Sequence, residues 1–230
     1  MSDSTPEALQ DEQYREGIVQ FLGLLAYGEI SACERLAEDG KMAPDLRLKV
    51  EIAAMATAEF HHFEQLRDRL IALGRDPFEV MAPFAATFER FHRKTNPSDW
   101  LEGLLKAYVG DGLAADFYRE IAAYLDADTR ALILETLSGT GHSEFVVHEV
   151  RKAIAADHRV AGRLALWGRR LMGEALSQAQ TVVAEYDTLT AVLSGSSDTP
   201  GGFDLATIAR MFARLTEAHT ARMETLGLAA

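Results

Sequence analysis

The stretch Ala58-Glu59-Phe60-His61-His62-Phe63 places a carboxylate and an imidazole three residues apart. On a helix, positions i and i+3 share a face and lie one turn apart. That face is otherwise apolar: Leu48, Ile52 and Met55 precede the pair, and Leu66, Leu70 and Leu73 follow it. An acid and a histidine on a buried stripe are costly unless something satisfies them, and a metal ion is one such partner. His61 points to a different face.

Working outward, the chain reads as helices throughout. Ala, Leu, Glu and Arg are plentiful, while strand-type runs are sparse, a composition that favours an all-α protein. Residues 1–12 read as a disordered tail ahead of a single helical domain over 13–228. Bundle helices are expected at about 12–39, 44–73, 98–125 and 129–156, with a short helical piece around Phe84–Phe91. Gly40, Pro44 and Gly74 punctuate the first hairpin, and Asp126 to Thr129 the second. Two helical hairpins with short turns make a four-helix bundle. Two further helices are expected at about 158–193 and 204–226, with a bend near Gly168 or Gly173 and a loop over Ser194–Gly202 capped by Asp204.

The hairpins echo each other. Leu25-Ala26-Tyr27-Gly28-Glu29 in the first helix returns in the third as Lys106-Ala107-Tyr108-Val109-Gly110-Asp111, with one residue inserted. Such an insertion is the mark of a π-bulge. Glu59-Phe60-His61-His62-Phe63-Glu64 returns in the fourth as Gly139-Thr140-Gly141-His142-Ser143-Glu144. His142 aligns with His62, and Gly139 stands where Glu59 needs a counterpart. Taken singly, Glu29 reads as a core-edge residue, Asp111 as a helix break and His142 as a satisfied core histidine. Together, Glu29, Glu59, His62, Asp111 and His142 sit near mid-helix on inward stripes. That set is a metal-ligand set. Carboxylate and imidazole ligands suit iron, with manganese as the alternative.

The pattern Glu29, Glu59-x-x-His62, Asp111 and His142 resembles the ferritin-like superfamily, whose di-iron bundles combine carboxylates with Glu-x-x-His pairs. The phrases Leu24-Leu25-Ala26-Tyr27-Gly28-Glu29, Ala107-Tyr108-Val109-Gly110-Asp111-Gly112 and Leu164-Ala165-Leu166-Trp167-Gly168-Arg169-Arg170 resemble actinobacterial proteins called MiaE-like. Those are named after the tRNA hydroxylase acting on 2-methylthio-N6-isopentenyladenosine. The resemblance implies a ferritin-like four-helix bundle with two additional C-terminal helices, two iron ions, and an oxygen-dependent hydroxylase fed by an electron donor. It implies ligand roles for Glu29, Glu59, His62, Asp111 and His142. Gly139 departs from it, and Glu135 or Glu144 is the available substitute for the missing acid. Without a sixth ligand the second iron is held weakly, or water fills the gap. Tyr27 and Tyr108 are either hydroxyl donors near the metals or core packing, and Glu174 is a boundary residue.

The net charge of −12 makes the chain a poor general nucleic-acid binder. The stretch Arg151, Lys152, Arg159, Arg163, Arg169 and Arg170 is the local exception, read first as a solvated helix face. A single cysteine, Cys33, allows no internal disulfide or cysteine zinc cluster. No apolar leader or membrane-length stretch is present in the sequence given, so a cytoplasmic protein without a membrane partner is expected. The substrate is a small molecule or tRNA, and a homodimer is left open. Two functions compete: a di-iron hydroxylase or monooxygenase, and a non-enzymatic, degenerate ferritin-like metal-binding or structural protein, the latter motivated by Gly139.

Overall fold

Aspartates set where the helices begin. Asp11, Asp45, Asp76, Asp99 and Asp126 each accept a hydrogen bond from a backbone N–H of the turn that follows, a cap worth about 1 kcal/mol. The computed structural model describes residues 11–137, 143–185 and 205–230. Its helices are α1 (Glu12–Asp39), α2 (Leu46–Ala72), α3 (Pro77–Met81), α4 (Ala85–Lys94), α5 (Trp100–Ala122), α6 (Ala127–Thr136), α7 (Ser143–Ala156), α8 (Arg159–Glu185) and α9 (Leu205–Thr225). Among the described residues there is no strand, and no described helix is long and apolar enough to cross a membrane. The protein is all-α.

Helix α2 stops where Gly74 adopts φ +75°, a left-handed conformation that costs glycine little. The N–H of Arg75 then donates to Leu70 O at 3.1 Å and that of Gly74 to Ile71 O at 2.9 Å, which closes the helix end and satisfies two of its last carbonyls. At the other end of the bundle, Tyr14 ties α1 to the α5–α6 turn by accepting from the Asp126 N–H at 2.8 Å.

Three expectations are revised. The link between the hairpins holds two helices, α3 and α4, joined by a 3-10 turn over Ala82–Phe84. The fourth helix, expected over 129–156, closes early: α6 ends in a 3-10 position at Leu137, and α7 covers Ser143–Ala156. Residues 138–142 lie outside the described residues, as do 1–10 of the expected tail and 186–204 with the expected loop and Asp204 cap. Finally, α5 is α-helical from Trp100 to Ala122 with no π-turn. The inserted residue instead rotates Tyr108 by about 100° relative to the position of Tyr27 in the echo. Helix α8 runs without a break through Gly168 and Gly173.

The core divides into two apolar clusters stacked along the bundle. One joins Ile18, Phe21 and Leu22 of α1 with Phe63, Leu66 and Leu70 of α2 and Ile121 of α5. The other joins Leu36 of α1 and Ile52 of α2 with Leu104, Leu105 and Val109 of α5, Leu164, Trp167 and Leu171 of α8, and Met223 of α9. Along α1 the first cluster ends at Ala26 and the second begins at Leu36; along α2 the change falls between Ala56 and Phe63. Glu29, Glu59 and His62 occupy that seam.

Candidate metal centre

Glu29 projects from mid-α1, and Glu59 and His62 from mid-α2. All three are buried. One ligand atom from each lies within 4.8 Å of the other two. His62 Nδ1 is 3.4 Å from Glu29 Oε2 and 3.8 Å from Glu59 Oε2. These are the spacings of ligands converging on one point, and the mixed oxygen and nitrogen set suits iron or manganese.

The metal-free electrostatics explain why the cluster wants a cation. Burial pushes the Glu29 carboxyl up to about 8, with His62 pulling it back and Glu59 pushing it further. Hydrogen bonding to Glu29, then to Glu59, raises the His62 imidazole to about 10 against its own burial. Protons thus hold the acids and the imidazole together in the metal-free protein, and a bound cation would release them.

A cavity of about 260 Å³ adjoins the cluster. Helices α1, α2, α4, α5 and α8 all contribute to its wall, which is mostly apolar. The sequence family described as the ferritin-like domain of actinomycetes matches residues 12–196. The chain belongs to this family. No curated protein matches it at a significant level.

In this ferritin-like domain, Asp111 of α5 lines the same cavity without joining the compact Glu29, Glu59 and His62 group. Burial first, then the Glu59 charge, raises its carboxyl to about 7. His142 and Gly139 lie outside the described residues. The two acids that could have replaced a ligand at Gly139 do not face the core: Glu135 and Glu144 are both exposed. Tyr27 packs on Phe88 with ring centroids 5.4 Å apart, and Tyr108 packs against the second apolar cluster; neither lines the cavity. Glu174 receives a hydrogen bond from Lys94 Nζ at 2.9 Å, as befits a boundary residue. His61 is exposed.

Sequence reasoning missed Tyr118. Its buried side chain lines the cavity. Burial, then the charges of Glu29, Glu59 and Asp111, hold its phenol well above the ordinary tyrosine range. The hydroxyl fits against α1 because position 28 is glycine: a Cβ there would stand 3.1 Å from the Tyr118 hydroxyl and 3.3 Å from Phe88. The signal was spacing, since Tyr118 follows Asp111 by seven residues and so shares its face.

Proposed function

We propose that this ferritin-like protein is an iron-dependent oxygenase, of the hydroxylase or monooxygenase kind, acting on a small molecule. The observation that carries this reading is the cavity beside Glu29, Glu59, His62 and Asp111. A purely structural or storage bundle has no use for a buried apolar chamber opening onto its metal ligands; pockets of this kind are where ligands sit. Glu29, Glu59 and His62 would bind the metal, with Asp111 completing it from the facing helix and His142 as the expected ligand of a second ion. Iron held there would supply dioxygen reduction and oxidation of an unactivated C–H bond, drawing electrons from an external donor. The apolar walls exclude water from the reacting group. The Tyr118 hydroxyl, kept protonated, is placed to donate a hydrogen bond into the acidic end.

The MiaE-like resemblance agrees with hydroxylation, while tRNA is the less favoured substrate. Five of the six basic side chains from Arg151 to Arg170 are engaged within the chain, Lys152 with Glu149 at 3.4 Å. Arg163 pairs with Asp99 at 2.7 Å and Glu102 at 2.6 Å, Arg151 donates to Thr225 O at 2.8 Å, Arg170 to Lys94 O at 2.6 Å, and Arg169 to Ala230 O at 3.1 Å. Reconstitution with ferrous iron tests the proposal. Iron bound per chain, followed by reductant-dependent oxygen uptake, is the expected result; no iron retained under anaerobic conditions would sink it.

A second reading, a single-ion metal-binding protein without turnover, draws on the exposure of Glu135 and Glu144. It expects one metal per chain and no oxygen uptake. A rise to two metals in Gly139→Glu would show that the second site lacks only its acid.

A further inference from the structure

The cavity has a second, basic end. On α1, Arg35 lies six residues past Glu29, about 9 Å further along the axis at 1.5 Å per residue, and Asp39 follows one turn later; both line the cavity. On α5, Lys106 lies one and a half turns before Asp111 and also lines it. Lys106 is only 7% exposed. Among the described residues its Nζ forms no salt bridge or hydrogen bond; its polar contact is with the Phe91 ring, whose centroid is 5.8 Å away.

The carboxylates near it leave its donors unfilled. Asp39 and, more weakly, Glu38 attract the ammonium, and Arg35 repels it. Arg35 donates to Glu38 at 2.7 Å, but its Nε is buried with no partner. From α4, His92 faces the same space; its Nε2 is 2.8 Å from Ser31 Oγ, and burial lowers its pKa to about 3, so the ring is neutral. Arg35 Nε and Lys106 Nζ are thus two donors on the cavity wall without an acceptor among the described residues. Burial brings the Lys106 ammonium down to about 8, which leaves it charged at neutral pH. Buried donors left without an acceptor are costly, and a bound anion supplies acceptors to both. Between this end and the acidic cluster the wall is apolar, formed by Ala32, Leu36, Met55 and Ala107.

We propose that the cavity binds a small amphipathic molecule whose single anionic head, a carboxylate or a phosphate, seats on Lys106 and Arg35 while its apolar body extends toward Glu59 and His62. This names the substrate class of the site proposed above, and it rests on that reading only for what happens at the metal end.

Calorimetric titration of the full-length, metal-loaded protein with octanoate, octyl phosphate and octan-1-ol tests it. Saturable binding of either anion, at least about tenfold tighter than octan-1-ol, is expected, and which anion binds identifies the head group. Lys106→Met should lower that affinity at least about tenfold and Lys106→Arg should keep it within about threefold, as for a buried charge contact, with metal content unchanged. Equal affinity for octan-1-ol and both anions, no saturable anion binding, or undiminished binding by Lys106→Met would overturn it. Should Lys106→Met fail to fold, Asp39→Asn decides, since removing the competing carboxylate must tighten anion binding and an unchanged affinity rejects the proposal. Anion binding that persists in protein unable to hold metal upholds this inference while removing the oxygenase reading.

Discussion

In the α1–α2 hairpin, Glu29, Glu59 and His62 converge to within 4.8 Å of one another. In the second half of the bundle, built from α5, α6 and α7, Asp111 reaches the same cavity while Glu135 and Glu144 face solvent. The two halves echo each other in sequence; among the described residues the first brings three ligand side chains to the centre and the second brings Asp111. The difference follows from packing. Helices α1 and α2 run side by side as two long unbroken helices, so a ligand on one keeps its height against the other. The fourth bundle element comprises α6 and α7, and α8 supplies much of the wall facing α5, through Ala175, Leu176 and Gln178 among others.

The largest expected effect is on metal affinity. Glu59→Ala or His62→Ala should weaken ferrous iron binding by more than about 100-fold, and Asp111→Asn by about tenfold, the scale of a supporting contact. Chelator competition measures both. An equal loss in all three variants would break the comparison and make α5 a full partner.

Next is the pH dependence of the metal-free protein. Glu29, Asp111 and His62 all have folded values above their unfolded ones. Groups raised in this way stabilise the fold at low pH, and that contribution is lost as pH rises through the folded value. The Asp111 contribution fades between its ordinary value near 3.8 and about 7, whereas that of Glu29 continues to about 8 and that of His62 to about 10. Thermal melts in chelator should therefore show the melting temperature falling above pH 7, by roughly 3–5 °C per unit for one group at a chain of this size. Glu29→Gln should flatten that slope, and Asp111→Asn should leave it unchanged.

A smaller effect separates the echoed glycines. A Cβ at Gly28 meets Tyr118 and Phe88, while one at Gly110 meets nothing within 4 Å. Gly110→Ala should stabilise by about 0.5–1 kcal/mol, the ordinary gain of alanine within a helix. Gly28→Ala should show none of that gain, because the aromatic rings must give way. Denaturant titration compares them, and equal gains would show that Gly28 is not a packing position. The smallest expected effect is on the basic segment: Arg159→Glu, at an exposed position, should change stability by no more than about 0.5 kcal/mol and leave metal binding untouched.

The amino-acid sequence by itself determined the long helices α1, α2 and α5 to within a few residues, through apolar periodicity, the Asp126 cap and the Gly74 stop. It also determined the Glu59 and His62 pairing, because i and i+3 share a face in any α-helix. Glu29 was legible through the stripe it interrupts. Three things needed the tertiary structure. Tyr118 became a site residue only once Gly28 let it approach α1. The polarity of the cavity emerged only when Arg35 and Asp39 of α1 met Lys106 of α5, residues some seventy positions apart whose spacing carries no local signal. The outward aim of Glu135 and Glu144 depended on where α6 ends and α7 begins. Local periodicity states which residues share a face; packing between helices decides which faces meet, and at what height.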